Sequence, residues 1–295
     1  MSALRIAGVV AGALVVAVAA AIAAGTMAWR RDTARHTELL DERARARGGA
    51  SLPPFRRTDL AGLPAPVARY LAFALPDGQP RARVARIRWT GEMRLQPDGA
   101  WSRFIADQAF TTSPPGFVWD ARFRMIPLVP VLVRDSYVGA EGRMLGRIGG
   151  VMNVVNEGGT PGMAQSALAR WLGEAAWFPT AFLPGADVTW EGVDDRTARA
   201  TVVDGAVRVT ADFHFAATGE LTSMSALRYR DVNGTSVLTP FEGRYGRFER
   251  RAGVMIPGTA EVAWLLPGGR FVYWRGQPTE VSATVTPARG AGGPE

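Results

Sequence analysis

Val207-Arg208-Val209-Thr210-Ala211-Asp212-Phe213-His214-Phe215 alternates apolar and polar residues without a break. Successive side chains of a strand point to opposite faces, so Val207, Val209, Ala211, Phe213 and Phe215 share one face. Arg208, Thr210, Asp212 and His214 share the other. One face meets a core and the other meets water. Asp204-Gly205 before the run and Thr218-Gly219 after it are hairpin-type turns, so the strand has antiparallel neighbours on both sides.

The same period extends outward. Downstream, Leu221–Tyr229, Ser236–Glu249, Thr259–Leu266, Phe271–Arg275 and Glu280–Thr286 read as strands, with turns at Asn233-Gly234 and Gly268-Gly269. Upstream lie Val188–Val193 and Thr197–Val203. Earlier still, Ile87, Trp89, Met93 and Leu95 alternate with Arg86, Arg88, Thr90, Glu92 and Arg94. Trp101–Phe110, Phe117–Met125, Val131–Val138 and Arg143–Asn156 continue the series. Two helices interrupt it. Leu63–Leu75 carries Val67, Tyr70, Leu71, Ala74 and Leu75 at helical spacing and stops at Pro76-Asp77-Gly78. The second has Thr160 as N-cap and Pro161 at N1, with Leu168, Trp171, Leu172 and Ala175 on one face. Trp177–Leu183 behind it is too apolar for a surface loop and is expected to plug the inside or mouth of the sheet. The fold class is mainly β (α+β): one curved antiparallel sheet or half-barrel with two or three short helices packed on or in it.

Ahead of this domain, Ile6–Trp29 is apolar and uncharged, with Arg5 before it and Arg30-Arg31 after it. As a helix it reaches roughly 36 Å, enough to cross a hydrocarbon core of about 30 Å. A cleavable signal peptide is the competing reading, with Ala21-Ile22-Ala23 or Thr26-Met27-Ala28 as processing sites. The apolar run is longer than a signal core needs, which favours an uncleaved single span. Gly8 and Gly12 form a small-xxx-small pair, a match that an alanine-rich span offers by composition alone. The arginines after the span place the domain in the cytoplasm by the positive-inside rule. The short basic start followed by an apolar run is how exported chains begin, and the extracytoplasmic side of the cytoplasmic membrane is preferred here. The expected organisation is a membrane segment at 1–29, a charged linker at 30–59, the β-rich domain at 60–286 and a frayed tail at 287–295.

The chain has 295 residues, a net charge of +7 and no cysteine, and all 34 of its basic residues are arginine. The missing cysteine excludes thiol nucleophiles, disulfides, Cys-ligated metals and a lipid-bearing Cys. The arginines are interleaved with acids rather than gathered on one segment, so no nucleic-acid partner is expected. G-x-S-x-G, H-E-x-x-H, EF-hand and Walker motifs do not occur, and the Gly-rich loop Asn156–Gly162 lacks the Lys-Ser/Thr pair of a nucleotide loop. No cofactor or metal is expected. Asp212 and His214 share a strand face where a metal or proton-transfer role competes with a solvated surface. Glu174, one turn after Arg170, reads as a surface ion pair or as a carboxylate pointing into a cavity. A hydrolase would need it to meet Asp120 or Asp135.

Several phrases occur together: Leu63-Pro64-Ala65-Pro66-Val67-Ala68-Arg69-Tyr70-Leu71, Trp101-x-x-Phe104-x-Ala106-x-Gln108, Phe117-Val118-Trp119-Asp120-Ala121, Glu174 through Ala181, and Gly253-Val254-Met255-Ile256-Pro257. With these the chain resembles an uncharacterised bacterial family, a domain of unknown function, in which a membrane segment precedes a β-rich domain. That family lends no catalytic residue to any position. The pattern Phe213-x-Phe215…Gly219-x-Leu221 and the meander order are also similar to periplasmic lipoprotein carriers, which implies a half-barrel around helices and an apolar cavity. Unlike them, this chain has an apolar span and no lipid-attachment Cys.

Trp89, Trp119, Trp171, Trp177, Phe213, Phe215 and Trp264 fall on the inward faces. With Glu174 they are the candidate lining of a cavity for a lipid or another apolar ligand, and a filled core is the competing reading. The expectation is a membrane-anchored, non-catalytic module that binds a hydrophobic ligand or envelope component. The alternatives are a membrane-tethered carboxylate hydrolase and a structural or partner-binding module.

Overall fold

The computed structural model describes residues 3–47, 53–232 and 234–285. The expected tail at 287–295, the Gly48-Gly49 break and Asn233 of the Asn233-Gly234 turn lie outside them. The short turns read from the sequence join consecutive strands, as hairpins must. In chain order these are β1 (Val84–Met93), β2 (Ser102–Thr111), β3 (Gly116–Ile126), β4 (Val129–Val138), β5 (Glu141–Ile148) and β6 (Met152–Gly158). After a helical interlude come β7 (Val188–Asp194), β8 (Thr197–Asp204), β9 (Val207–Phe215), β10 (Leu221–Val232), β11 (Thr235–Arg251), β12 (Val254–Leu266) and β13 (Gly269–Thr284).

All thirteen form one antiparallel sheet, in the order β6-β5-β4-β3-β2-β1-β13-β12-β11-β10-β9-β8-β7. Two meanders are therefore joined by their outermost members in sequence, with β1 running against β13 from Val84 opposite Thr284 to Met93 opposite Trp274. Over so many strands the right-handed twist curls the sheet around its contents. The architecture is the curved half-barrel expected.

Two boundaries differ from the sequence reading. Arg143–Asn156 is two strands, because Gly149 and Gly150 take φ of 62° and 73°, open to glycine, and reverse the chain into β6. Phe271–Arg275 and Glu280–Thr286 belong to one strand, β13. Pro278, which cannot donate to a ladder, sits opposite Trp89 where the β1–β13 register shifts.

The inner face, which carries Trp89 and Phe213, encloses the helices. In α2 (Ala65–Ala74), Val67, Tyr70, Leu71 and Ala74 are buried. In α3 (Pro161–Glu174), Thr160 Oγ1 accepts from Met163 N at 3.2 Å, and Ala164, Ala167, Leu168, Trp171 and Leu172 are buried. The 3-10 turns Ala175–Trp177 and Pro179–Phe182 bury every one of their residues, so the apolar plug lies where the sequence reading put it.

The outer face is covered in part by α1 (Ala3–Ala46), a single helix of 44 residues. The charged stretch after Trp29 thus continues the apolar helix to Ala46 and packs on the domain. Trp29 is buried with Leu132 and Leu145, and Leu40 with Ala109 and Val118. Asp32 pairs with Arg134 at 2.5 Å, and Asp41 pairs with Arg86. The helix stays because β2–β5 turn apolar side chains outward here, and water would otherwise meet them. Residues 6–21 of α1 are exposed, and a Cβ added at Gly8 or Gly12 would meet nothing within 4 Å.

Candidate functional site

The inward aromatics meet one another. Trp171 and Phe213 are fully buried, and Trp89, Trp119, Trp177 and Phe215 are at most 4% exposed. Trp89 packs edge-on to Trp177 at 4.9 Å, Trp171 stacks on Phe110 at 5.6 Å, and Phe215 lies against Tyr70. A buried indole N–H needs an acceptor. Trp171 Nε1 donates to Thr111 O at 2.8 Å, Trp177 Nε1 to Pro257 O at 2.9 Å and Trp89 Nε1 to Gln108 Oε1 at 2.8 Å. Trp264 is half-buried at the rim, stacked on Tyr273 with Arg228 over its ring. The concavity beside Trp177 is therefore occupied by α3 and the plug.

Glu174 lies within that interior, in a polar chain. Arg170 Nε donates to Glu174 Oε1 at 2.8 Å, and its NH1 reaches Asp135 Oδ2 at 2.7 Å. Gln108 Nε2 donates to Glu174 Oε2 at 2.5 Å. The Arg170 guanidinium also lies 4.8 Å above the Phe117 ring and 4.9 Å from that of Trp119. Burial pulls the Arg170 pKa down, but the charges of Glu174 and Asp135 more than reverse it and hold the cation above its ordinary value. The ion pair at i, i+4 is present but is not a surface pair. Asp135 joins it and Asp120 does not. Asp120 faces outward, where it accepts from Trp29 Nε1 at 2.7 Å. Both carboxylates are thus held by a single guanidinium, and Glu174 is held by the Gln108 amide as well. The indole nitrogen of Trp119 is buried with no acceptor among the described residues.

Asp212 and His214 are not brought together as a ligand set. Asp212 accepts two bonds from Arg199, at 2.7 and 3.0 Å, and His214 Nδ1 lies 3.2 Å from Thr197 Oγ1. Among the described residues no group of three or more His, Cys, Asp or Glu side chains is placed to hold a metal.

An open groove of about 760 Å³ lies elsewhere, where β1, β2, β3, β11, β12 and β13 meet. Its walls include a cross-strand row of charge: Arg244 opposite Glu261, Glu261 opposite Arg275, Arg275 opposite Glu92, and Glu92 opposite Arg103. Alternating signs on facing positions stabilise a sheet, each pair by about 0.2–1 kcal/mol. The alternation fails at one end. Arg124 lines the groove beside Arg103, and among the described residues neither has a carboxylate within 4 Å. Ile105, 48% exposed, adds apolar surface next to them, and the half-buried Tyr245 lines the groove on β11. Burial raises the Tyr245 phenol well above its usual pKa, so it stays neutral, donating to Gly173 O at 2.8 Å. Sequence reading missed this groove because its charges come from six strands with no local signature. The visible signal was alternation itself, Glu92 against Arg88 and Arg94 on one strand.

No curated protein matches the chain. Solved structures similar to it include a LolA superfamily protein from Nitrosomonas europaea, with 12% identity, 77% of this chain and 96% of that one covered, and a TM-score of 0.43. A Vibrio parahaemolyticus domain proposed as an outer membrane lipoprotein-sorting protein shares 6% identity over 68% of this chain and 86% of its own, at a TM-score of 0.36. A DUF1329 family protein from Desulfovibrio piger shares 10% identity over 69% and 87%, at 0.32. In sequence, residues 53–276 match one family model, which reaches from ahead of β1 into β13, so this chain belongs to the Family of unknown function (DUF6544).

Proposed function

We propose that this chain is a single-pass protein of the cytoplasmic membrane, with its β domain on the extracytoplasmic side, and that the domain is a non-catalytic binding module for an anionic amphiphile. The observation that carries this reading is the pair Arg103 and Arg124, which make no ion pair within 4 Å among the described residues, beside the exposed Ile105 in an open groove. Guanidinium forks suit a phosphate or carboxylate head, and the apolar wall suits the start of an acyl chain. The exposed apolar stretch at residues 6–21 supports anchoring. The engagement of Glu174 and Asp135 by the one Arg170 supports binding rather than catalysis.

Titration of detergent-solubilised full-length protein with dodecyl phosphate, followed by intrinsic tryptophan emission, tests the proposal. Saturable binding that Arg103→Glu with Arg124→Glu abolishes is the expected result. Absence of binding by the unaltered protein, or equal binding by the double variant, overturns it.

A further inference from the structure

Three features of the fold converge on one short length of α1. The β5–β6 turn rests on the helix: a Cβ added to Gly25 would come within 2.9 Å of the Gly150 carbonyl carbon, and one on Gly149 would lie 3.1 Å from Ile22 Cγ1. The β3–β4 turn is beside it, because Gly149 N donates to Pro130 O at 2.8 Å. Both turns carry large apolar side chains into solvent. Met125 and Ile126 are 48% and 40% exposed, Leu128 is fully exposed, and Val151 and Met152 are each 57% exposed. Hairpin tips that only met water would have no reason to display five such residues together, at a cost that scattered surface apolar residues do not carry.

Their level along the helix supplies the reason. From Ile6 to Gly25 the helix rises roughly 29 Å, which is about the thickness of a hydrocarbon core. A helix that starts at one face of a bilayer therefore delivers Gly25, and the two turns against it, to the opposite interface. Arg122 and Arg124 on β3, with Arg30 and Arg31 on α1, are exposed just beyond this level, where lipid phosphates lie.

We infer that the β3–β4 and β5–β6 turns insert into the near leaflet of the bilayer that α1 crosses, seating the domain on the membrane at a second point. The inference rests on the reading of α1 as a membrane anchor. It sets the Arg103–Arg124 end of the groove at headgroup level, since Arg124 directly precedes Met125.

The absence of cysteine makes the test direct, since any cysteine introduced is the sole label site. Full-length Leu128→Cys, Val151→Cys, Val15→Cys and Val193→Cys, the last on the opposite edge strand, are labelled with an environment-sensitive fluorophore. Each is reconstituted in vesicles of phosphatidylethanolamine and phosphatidylglycerol containing shallow or deep spin-labelled lipid. The expected result is that labels at 128 and 151 lose most of their emission to the shallow quencher. Val15 loses it to the deep one, and Val193 keeps its emission. Quenching at Val15 with labels at 128 and 151 as bright as Val193 overturns the insertion of the turns and leaves the anchor standing. No quenching at Val15 overturns the anchor and this inference together.

Discussion

The indole N–H of Trp29 donates a 2.7 Å hydrogen bond to Asp120 Oδ1, joining the exit of the apolar helix to the outer face of β3. Around that bond Arg134 and Arg147 lie 5.2 and 5.9 Å from the indole ring, and Leu132 and Leu145 close beneath it. The helix and the sheet are thereby one body across a seam that is half apolar and half charged.

Trp29→Ala removes the largest side chain of that seam. By the cost of truncating a buried aromatic, docking of the helix's second half should weaken by about 3 kcal/mol. Limited trypsin digestion is expected to cut at Arg30, Arg31 and Arg35 in the variant far sooner than in the parent, while the β domain keeps its thermal transition.

Two carboxylates of the seam respond to acid in opposite senses. Burial raises the Asp120 carboxyl above its ordinary 3.8, against the pull of the Trp29 hydrogen bond. Such a group favours the folded state most when protonated, so stability is lost as pH rises through its folded pKa and regained on acidification just above 3.8. For Asp32 burial also pulls upward, but the hydrogen bond and charge of Arg134 win and its carboxyl lies below 3.8. Its contribution is full above that value and is lost as pH falls further. Asp120→Asn should flatten the upper slope in a plot of Tm against pH and leave the lower one. An unchanged upper slope would refute the assignment.

Arg170→Met leaves Asp135 and Glu174 as buried charges without their cation. The expected loss is about 3–5 kcal/mol, read by urea unfolding. Adding Asp135→Asn and Glu174→Gln to the same variant should recover most of it, because the neutral triple no longer strands a charge. A triple variant as unstable as the single one would mean that Arg170 acts through packing on Phe117 and Trp119.

Gly25→Val would place a Cβ 2.7 Å from Val151 Cγ2. The β5–β6 turn should lift from the helix, and the Val151 amide, which donates to Ile148 O at 3.1 Å, should exchange with solvent faster. Gly8→Val, with nothing within 4 Å, should leave that exchange unchanged.

The sheet was legible because alternation is a local signal. Val207–Phe215 declares its two faces without any partner in view, and Thr160-Pro161 declares a helix start in the same way. The seam was not legible. The helix face that meets the sheet reads Trp29, Thr33, Thr37, Leu40 and Ala44, correct in spacing but half polar, and only the outward Ala109, Val118 and Leu132 give it a destination. The role of the inward aromatics was ambiguous for another reason. Trp89 and Trp177 point inward whether they line a void or close it, and the difference lies in how α3 is seated. The groove was invisible because Arg103 and Arg244 come to line one wall only through the joining of β1 to β13.

That joining has a further consequence for how the protein comes into being. Thr284 Oγ1 bonds to the carbonyl of Val84, two hundred positions apart. During translation the first strand waits, one flank bare, until the thirteenth has been made. Closure over such a span is slow, since distant contacts must be found before they repay the search. A nascent chain whose leading helix has already engaged lipid would make that wait at a surface, held away from its siblings.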